Sequence, residues 1–123
     1  MRQAEKSTAI YCRVAHADDY ALEAQKESLS RYAVECGYDN IVVYADNGYN
    51  GLNFHRPALS ALETDIRAGK VGRVIVKDLS RITRDCWAVD AWIDKLIASG
   101  VALITTDYRQ TVNVVLQRYA VLQ

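Results

Sequence analysis

No charge of one sign dominates this chain of 123 residues, because its 15 basic and 15 acidic side chains cancel. The molecule as a whole therefore sets up no field that would draw it to nucleic acid or to an anionic membrane. Cysteine is scarce and odd in number. Cys12, Cys36 and Cys86 form no C-x-x-C pair and have no histidine at ligand spacing, which argues against a disulfide framework and a zinc site and predicts buried thiols in a reducing compartment. Proline occurs once, at Pro57, and there is no repeat or low-complexity tract, so neither a disordered nor a fibrous chain is expected. No apolar run is long enough to span a membrane and the first residues lead into none; neither a signal peptide nor a membrane partner is expected, and the expected location is the cytoplasm.

Half of the residues are hydrophobic, the proportion of an ordinary globular domain with one core. Ser7 to Val14 fits a buried strand, whose alternation places Ile10, Cys12 and Val14 on one face and Tyr11, Arg13 and Ala15 on the other. Asp18 and Asp19 suit a helix start, and Leu22, Gln25, Leu29, Tyr32, Ala33 and Cys36 then recur at helical spacing up to Gly37. Gln25 is the one polar member of that stripe. Asn40 to Ala45 reads as a second strand, 46–56 as a loop, and Pro57 as the first residue of a helix through Leu59, Leu62 and Ile66 to Gly69. Arg73 to Lys77 is the third strand. Asp85 caps a further helix with an inward stripe of Val89, Trp92, Ile93, Leu96 and Ile97, and Val101 to Thr105 is the fourth strand.

Strand and helix alternate throughout, which predicts an α/β fold with a mainly parallel, doubly wound sheet of four to five strands and helices on both faces. Ligands of such sheets sit at the carboxyl ends of the strands, where Ala15, Asp46, Ser80 and Asp107 fall in turn. Residues 1–108 are expected to form this unit. Residues 109–123 carry Val112, Val115, Leu116, Tyr119 and Leu122 at helical spacing, fitting a terminal helix packed on its own sheet or an interface helix that pairs two chains as a homodimer or higher oligomer.

Charge is unevenly placed. Between Arg67 and Arg84 six basic residues face Asp78 alone, a local +5 around the end of the third strand. Arg81 and Arg84 are three apart and on one turn could hold one anion between their guanidinium forks, with Arg13 and Arg56 completing a ring of four and Lys77 close by. An arginine cluster at a sheet's carboxyl edge is more often a phosphate site than a structural accident, although each arginine taken singly is more often a surface ion pair. A small-molecule phosphate enzyme on a flavodoxin-like sheet ranks last, since no glycine-rich loop follows the first strand.

The runs Ile10-Tyr11-Cys12-Arg13-Val14, Gln25 with Leu29, Tyr44-Ala45-Asp46-Asn47-Gly48-Tyr49-Asn50-Gly51, Arg56-Pro57-Ala58-Leu59 and Val76 through Asp85 resemble the catalytic domain of the serine site-specific recombinases, in particular its large branch. The likeness covers about Ala9 to Asp107, in order. It implies a resolvase-like fold, DNA as partner, and a serine hydroxyl that attacks a phosphodiester and exchanges strands through a phosphoserine joint within a tetramer, without metal, nucleotide or other cofactor. Carried over residue by residue, Arg13, Arg81 and Arg84 match the arginines around the scissile phosphate and Arg56 the arginine after the mobile loop. Gln25 matches the polar residue of the first helix, Asp46 the acid at the end of the second strand, and Ser80 a position held by serine or an acid. Positioned guanidinium groups suit that chemistry, because charge builds on the phosphate oxygens in the transition state.

Two departures decide the expectation. The nucleophile position is Ala15, whose methyl group can neither attack nor hold a covalent joint. Cys12, His16, Ser80 and Thr83 lie near enough to be weighed as substitutes. Cys12 belongs to the other strand face, Ser80 suits a turn-bonding role, and a loop histidine is most often solvated. The sequence also ends at Gln123, whereas the relatives carry DNA-binding domains, so only weak, sequence-blind phosphate contacts are expected of it. A serine replaced in a recombinant domain, a natural member that has lost catalysis and acts as a partner or regulator, and a remnant of a mobile element all accommodate Ala15. The residues after it, His16-Ala17-Asp18-Asp19, favour natural loss.

Overall fold

The computed structural model describes residues 6–48, 56–82 and 86–106. In chain order these form β1 (Ser7–Val14), α1 (Asp19–Glu35), β2 (Ile41–Asn47), α2 (Pro57–Arg67), β3 (Val71–Val76), a 3-10 turn (Leu79–Arg81), α3 (Cys86–Ala98) and β4 (Ala102–Thr105). The four strands make one sheet in the order β2-β1-β3-β4, and every pairing is parallel. The α/β doubly wound architecture expected from the alternation is the one observed.

Alternation along β1 sorts the core into two clusters. Ala9 and Tyr11 pack with Leu59, Leu62 and Ile66 of α2 and Trp92 and Leu96 of α3. Ile10 and Cys12 pack with Leu22, Leu29 and Ala33 of α1 and with Ile75 of β3. The central strands are thus apolar on both sides, as parallel strands covered by helices must be. One helix lies on one face and two on the other.

Several local expectations change. β2 runs on through Asp46 and Asn47, because its ladder with β1 continues as Arg13↔Asp46 and Val14↔Asn47. β3 begins earlier, at Val71, and ends at Val76. Cys36 is exposed rather than buried, since it caps the last turn of α1 beyond the part that rests on the sheet; Cys12 is the buried thiol. Ile97 is 41% exposed, at the end of a stripe that Trp92, Ile93 and Leu96 carry. Asp85, Asp107 and the stretch 109–123 lie outside the described residues, as does the side chain of Cys86. No described helix is long and apolar enough to cross a membrane.

The two clusters meet at the sheet, so a deep truncation there should cost far more than one at the edge. Ile75→Ala is expected to lower the unfolding free energy by about 2–5 kcal/mol. Val42→Ala, at a site 38% exposed on the edge strand, should change it by roughly 0.5 kcal/mol or less. Urea melts of the two variants measure the difference; similar losses would contradict this division of the core.

Candidate functional site

At the carboxyl edge of the sheet β1 outruns β3. The β1–β3 register ends at Ile10↔Ile75, while β1 stays paired with β2 as far as Val14. Side chains complete what the missing strand would supply. The Gln25 amide, reaching from α1, accepts from the Arg13 N–H at 3.1 Å and donates to the Arg13 carbonyl at 3.3 Å. The same carbonyl accepts from Arg81 Nη1 at 3.2 Å. A polar residue on the inward stripe of α1 is explained by this pseudo-backbone pair, since an unpaired buried N–H and C=O would be costly.

Arg13 and Arg56 are only 1% exposed. Arg13 donates from Nε to the Arg81 carbonyl at 3.0 Å and from Nη2 to the Ser80 carbonyl at 2.6 Å. Arg56 donates from Nη1 to the Arg81 carbonyl at 2.8 Å and from Nη2 to the Ile82 carbonyl. Three successive carbonyls at the end of the Leu79–Arg81 turn thus rest on two cations. Carbonyls at a helix end lack intrahelical partners and form the negative pole of the turn, so guanidinium groups are matched to them. Burial lowers the Arg56 pKa, opposed by the nearby Tyr11 and Asp46.

The support beneath Arg56 comes from β1 and β2. Its guanidinium lies 5.7 Å from the centroid of the Tyr11 ring, within cation–π range. The Tyr11 hydroxyl donates to Asp46 Oδ2 at 2.7 Å. The Asp46 carboxylate also accepts the Ala58 and Leu59 N–H groups at 2.9 and 3.0 Å. Arg56 occupies the N-cap position of α2 without a side-chain cap bond, so a carboxylate from β2 does the capping. Asp46, 2% exposed, is therefore placed where it fixes the helix start that carries Arg56.

Ala15, half-buried, follows β1 in a loop clipped to the end of β2. Gly48 donates its N–H to the Val14 carbonyl at 2.9 Å. Asn47 accepts from the Asp18 N–H at 2.9 Å and donates to Asp19 Oδ1 at 2.7 Å. Gly48 has φ +87, and a Cβ there would stand 3.4 Å from Ala17, so both conformation and space favour glycine. Asp18 also caps α1, accepting from the Ala21 N–H at 3.0 Å.

The three described members of the expected ring, Arg13, Arg56 and Arg81, converge at this edge. The guanidinium groups of Arg13 and Arg56 are aimed at backbone carbonyls, while the Arg81 side chain remains at the edge, its Nε 3.9 Å from Asp78 Oδ2. Lys77 is exposed beside it. Arg84 and Thr83 lie outside the described residues, as do Tyr49, Asn50 and Gly51. Ser80 has the turn-bonding role expected of it: its N–H and hydroxyl both donate to Asp78 Oδ1. Cys12 is fully buried and its thiol is pushed up to about 12, chiefly by that burial, which leaves no thiolate near neutrality. His16 is exposed on the loop. Tyr11, Asn47 and Asp78 were not singled out from the sequence. The partners of Tyr11 and Asn47 are 35 and 28 to 29 residues away, within reach only in the folded register, whereas Asp78 bonds Ser80 two residues on.

Comparison with known proteins gives a consistent result. Residues 8–119 match the family model described as Resolvase, N terminal domain. Immunity region protein 3 of Bacillus phage phi105, itself uncharacterized, is 34% identical over 68 residues, spanning 52% of this chain and 83% of that protein. A Bacillus subtilis (strain 168) protein whose name proposes a DNA recombinase is 32% identical over 80 residues, or 62% of this chain but only 15% of that protein. The crystal structure of the N-terminal catalytic domain of TP901-1 integrase superposes with a TM-score of 0.75 at 26% identity, over 81% of this chain and 77% of that one.

The Tyr11–Asp46 contact carries a pH dependence. Burial first, and then the Asp46 hydrogen bond, raise the Tyr11 pKa well above its ordinary 10.0, and Tyr44, also buried and bonded to Asp65, is raised too. Above pH 10 the unfolded chain loses these protons while the folded one keeps them. Their contribution to stability is therefore full below pH 10 and lost as pH rises beyond it. Tyr11→Phe, which leaves Asp46 one donor short, should cost about 1–3 kcal/mol at neutral pH and flatten the alkaline decline seen in denaturant melts. An undiminished decline in that variant would assign it to the other groups raised by burial, Tyr44, Tyr32 and Cys12.

Proposed function

Because this chain belongs to the resolvase family through its N-terminal domain, we propose that it is a recombinase-type domain that holds DNA phosphate without cutting it. The observation that carries this reading is Ala15. A methyl group stands at the nucleophile position, two residues after Arg13, while Arg13, Arg56, Arg81 and Gln25 remain joined to one another. In an unrelated serine enzyme, loss of the nucleophile costs about 10⁶ in kcat, and here no covalent joint can conserve the phosphodiester bond energy. Cys12 and Ser80, each engaged elsewhere, supply no substitute.

In this reading Arg81 and Arg84, with Lys77, meet the phosphate, and Arg13 and Arg56 brace the turn that presents them. Residues 1–108 form the phosphate-holding unit, residues 109–123 join two or more chains, and the protein acts in the cytoplasm without cofactor. A second reading, a regulatory or protein-interaction module pairing through 109–123, draws support from the inner guanidinium groups being committed to carbonyls and from the phage relative named for an immunity region. A strict monomer at high concentration in sedimentation would count against it.

Affinity for duplex DNA measured against salt tests the first reading. Three neutralised phosphates correspond to a slope of log K on log salt of about −2.7. The pair Arg81→Ala with Arg84→Ala should make that slope shallower by roughly two such contacts; an unchanged slope, or no affinity at all, would sink the proposal. Ala15→Ser, incubated with a nicked substrate, is expected to yield a covalent protein–DNA adduct, visible as a shifted band on a denaturing gel. Its absence would mean that more than the hydroxyl has been lost.

A further inference from the structure

In the order β2-β1-β3-β4, β2 has β1 on one side and, among the described residues, no strand on the other. The direction of its backbone groups follows from two bonds to β1, the Thr8 N–H to the Asn40 carbonyl at 3.0 Å and the Gly48 N–H to the Val14 carbonyl at 2.9 Å. Because a strand alternates, the N–H and C=O groups of Val42, Tyr44 and Asp46 also turn to β1, and those of Ile41, Val43 and Ala45 turn outward. The free side thus carries a row of donors and acceptors. Sheet edges are ordinarily blunted by a short strand, a proline, a bulge or charged side chains. β4, the other edge, has four residues, whereas β2 has seven, with no proline or lysine, no register shift against β1 and no charge before Asp46.

The side chains point the same way. Val42 and Val43, on opposite faces of the strand, are 38% and 41% exposed. One exposed valine needs no explanation, but two in succession on an open edge fit an added strand, which would cover both faces and pair the backbone. The occupant must be extended, so that its own N–H and C=O groups alternate in step with Ile41, Val43 and Ala45. A second copy of β2 meets that demand. The uncharged run Ile41–Ala45 is centred on Val43, and a two-fold axis there sets the run against itself, with Val43 opposite Val43 and Ile41 opposite Ala45 in both directions. All three residues turn their groups outward, so each pair exchanges both of its hydrogen bonds. Charge is compatible as well: Asp39 falls opposite Asn47 and Asp46 opposite Asn40, so no like charges face each other. A strand pair of this length covers less than the roughly 800 Å² per partner of a standard interface. The dimer it forms is therefore weak and depends on concentration.

We infer that β2 is a self-pairing edge, through which two copies of this chain join antiparallel along Ile41–Ala45 about a two-fold axis at Val43. Two four-stranded sheets then run on as one. The contact uses neither the arginine turn nor residues 109–123, so it is independent of the DNA-phosphate reading and of the pairing assigned to that segment.

Disulfide trapping in the full chain tests this. With Cys36→Ser and Cys86→Ser as background, Val43→Cys places two thiols across the axis on Cα atoms about 5.5 Å apart, inside the span of roughly 4.4–6.8 Å that a disulfide bridges. Mild oxidation is expected to give a cross-linked dimer on a non-reducing gel. Val34→Cys in the same background, exposed on α1, measures random collision. Val43→Lys and Val43→Glu each set like charges against each other at the axis, and each is expected to weaken dimerisation roughly fivefold in sedimentation equilibrium, the upper end for one cross-strand pair. Mixing the two restores it. Thermal melts verify that every variant is folded. A cross-link no stronger than that of Val34→Cys overturns the inference, as does dimerisation unchanged in both charged variants. Association that survives them and is lost in Leu116→Asp belongs to residues 109–123 and also overturns it. A chain that stays monomeric yet binds a peptide with the sequence of Ile41–Asn47 assigns the edge to another strand, again against self-pairing.

Discussion

Two buried guanidinium groups resting on three successive carbonyls hold the site edge of this molecule together. Arg13 belongs to β1, Arg56 to the start of α2, and the Ser80, Arg81 and Ile82 carbonyls to the turn after β3. No strand pairing joins these three segments at that level, because the β1–β3 ladder has already ended. The arginines replace it. Burying a cation is tolerable only where its donors find acceptors, and stripping a buried charge of its partner costs about 3–5 kcal/mol. The orphan carbonyls of a short 3-10 turn supply acceptors already polarised in the right sense. Each side thus removes the other's penalty.

The same economy runs outward from Arg56. A helix beginning with Pro57 needs an acceptor for its first free N–H groups, and the N-cap residue, an arginine, offers none. Asp46 reaches across from β2 to take them, and Tyr11 takes up the carboxylate's remaining capacity. The Tyr11 ring then lies under the Arg56 guanidinium. Substrate chemistry is not needed to explain why any of these groups is where it is. Arg81 is the exception, since its side chain is only partly used by the protein.

Much of the scaffold was legible in the sequence because it depends on local rules. The period of two in Ile10, Cys12 and Val14 against Tyr11 and Arg13, the period of 3.6 in Leu22, Leu29 and Ala33, and Pro57 as a helix start all translated directly into the two-faced core. Cys36 and Ile97 failed at helix ends, where periodicity continues past the surface that can bury it. The site was legible as a set of residues and not as a set of directions. Spacing places Arg13, Arg56 and Arg81 near one another, but which way a guanidinium turns depends on where unpaired carbonyls stand. That is fixed by the lengths of β1 and β3, which differ by a few residues at ends that composition does not mark. Gln25 was visible as an anomaly, and its meaning emerged only with the truncated ladder it repairs.

This division bears on what an intact arginine set implies. If the arginines served only a reacting phosphate, their presence with a methyl group at position 15 would need a separate reason. Arg13 and Arg56 are instead structural donors whose removal would orphan the turn, whereas the side chain of Ala15 is a methyl group held in a loop fixed by Gly48, Asn47 and Asp18. Loss of a serine hydroxyl at that position breaks none of the contacts that hold the frame. The arginine frame therefore does not depend on a hydroxyl at position 15, and its presence alone speaks for the fold rather than for catalysis. Among the described residues of this edge, Arg81 and Lys77 retain side-chain donors that the protein itself does not fully use.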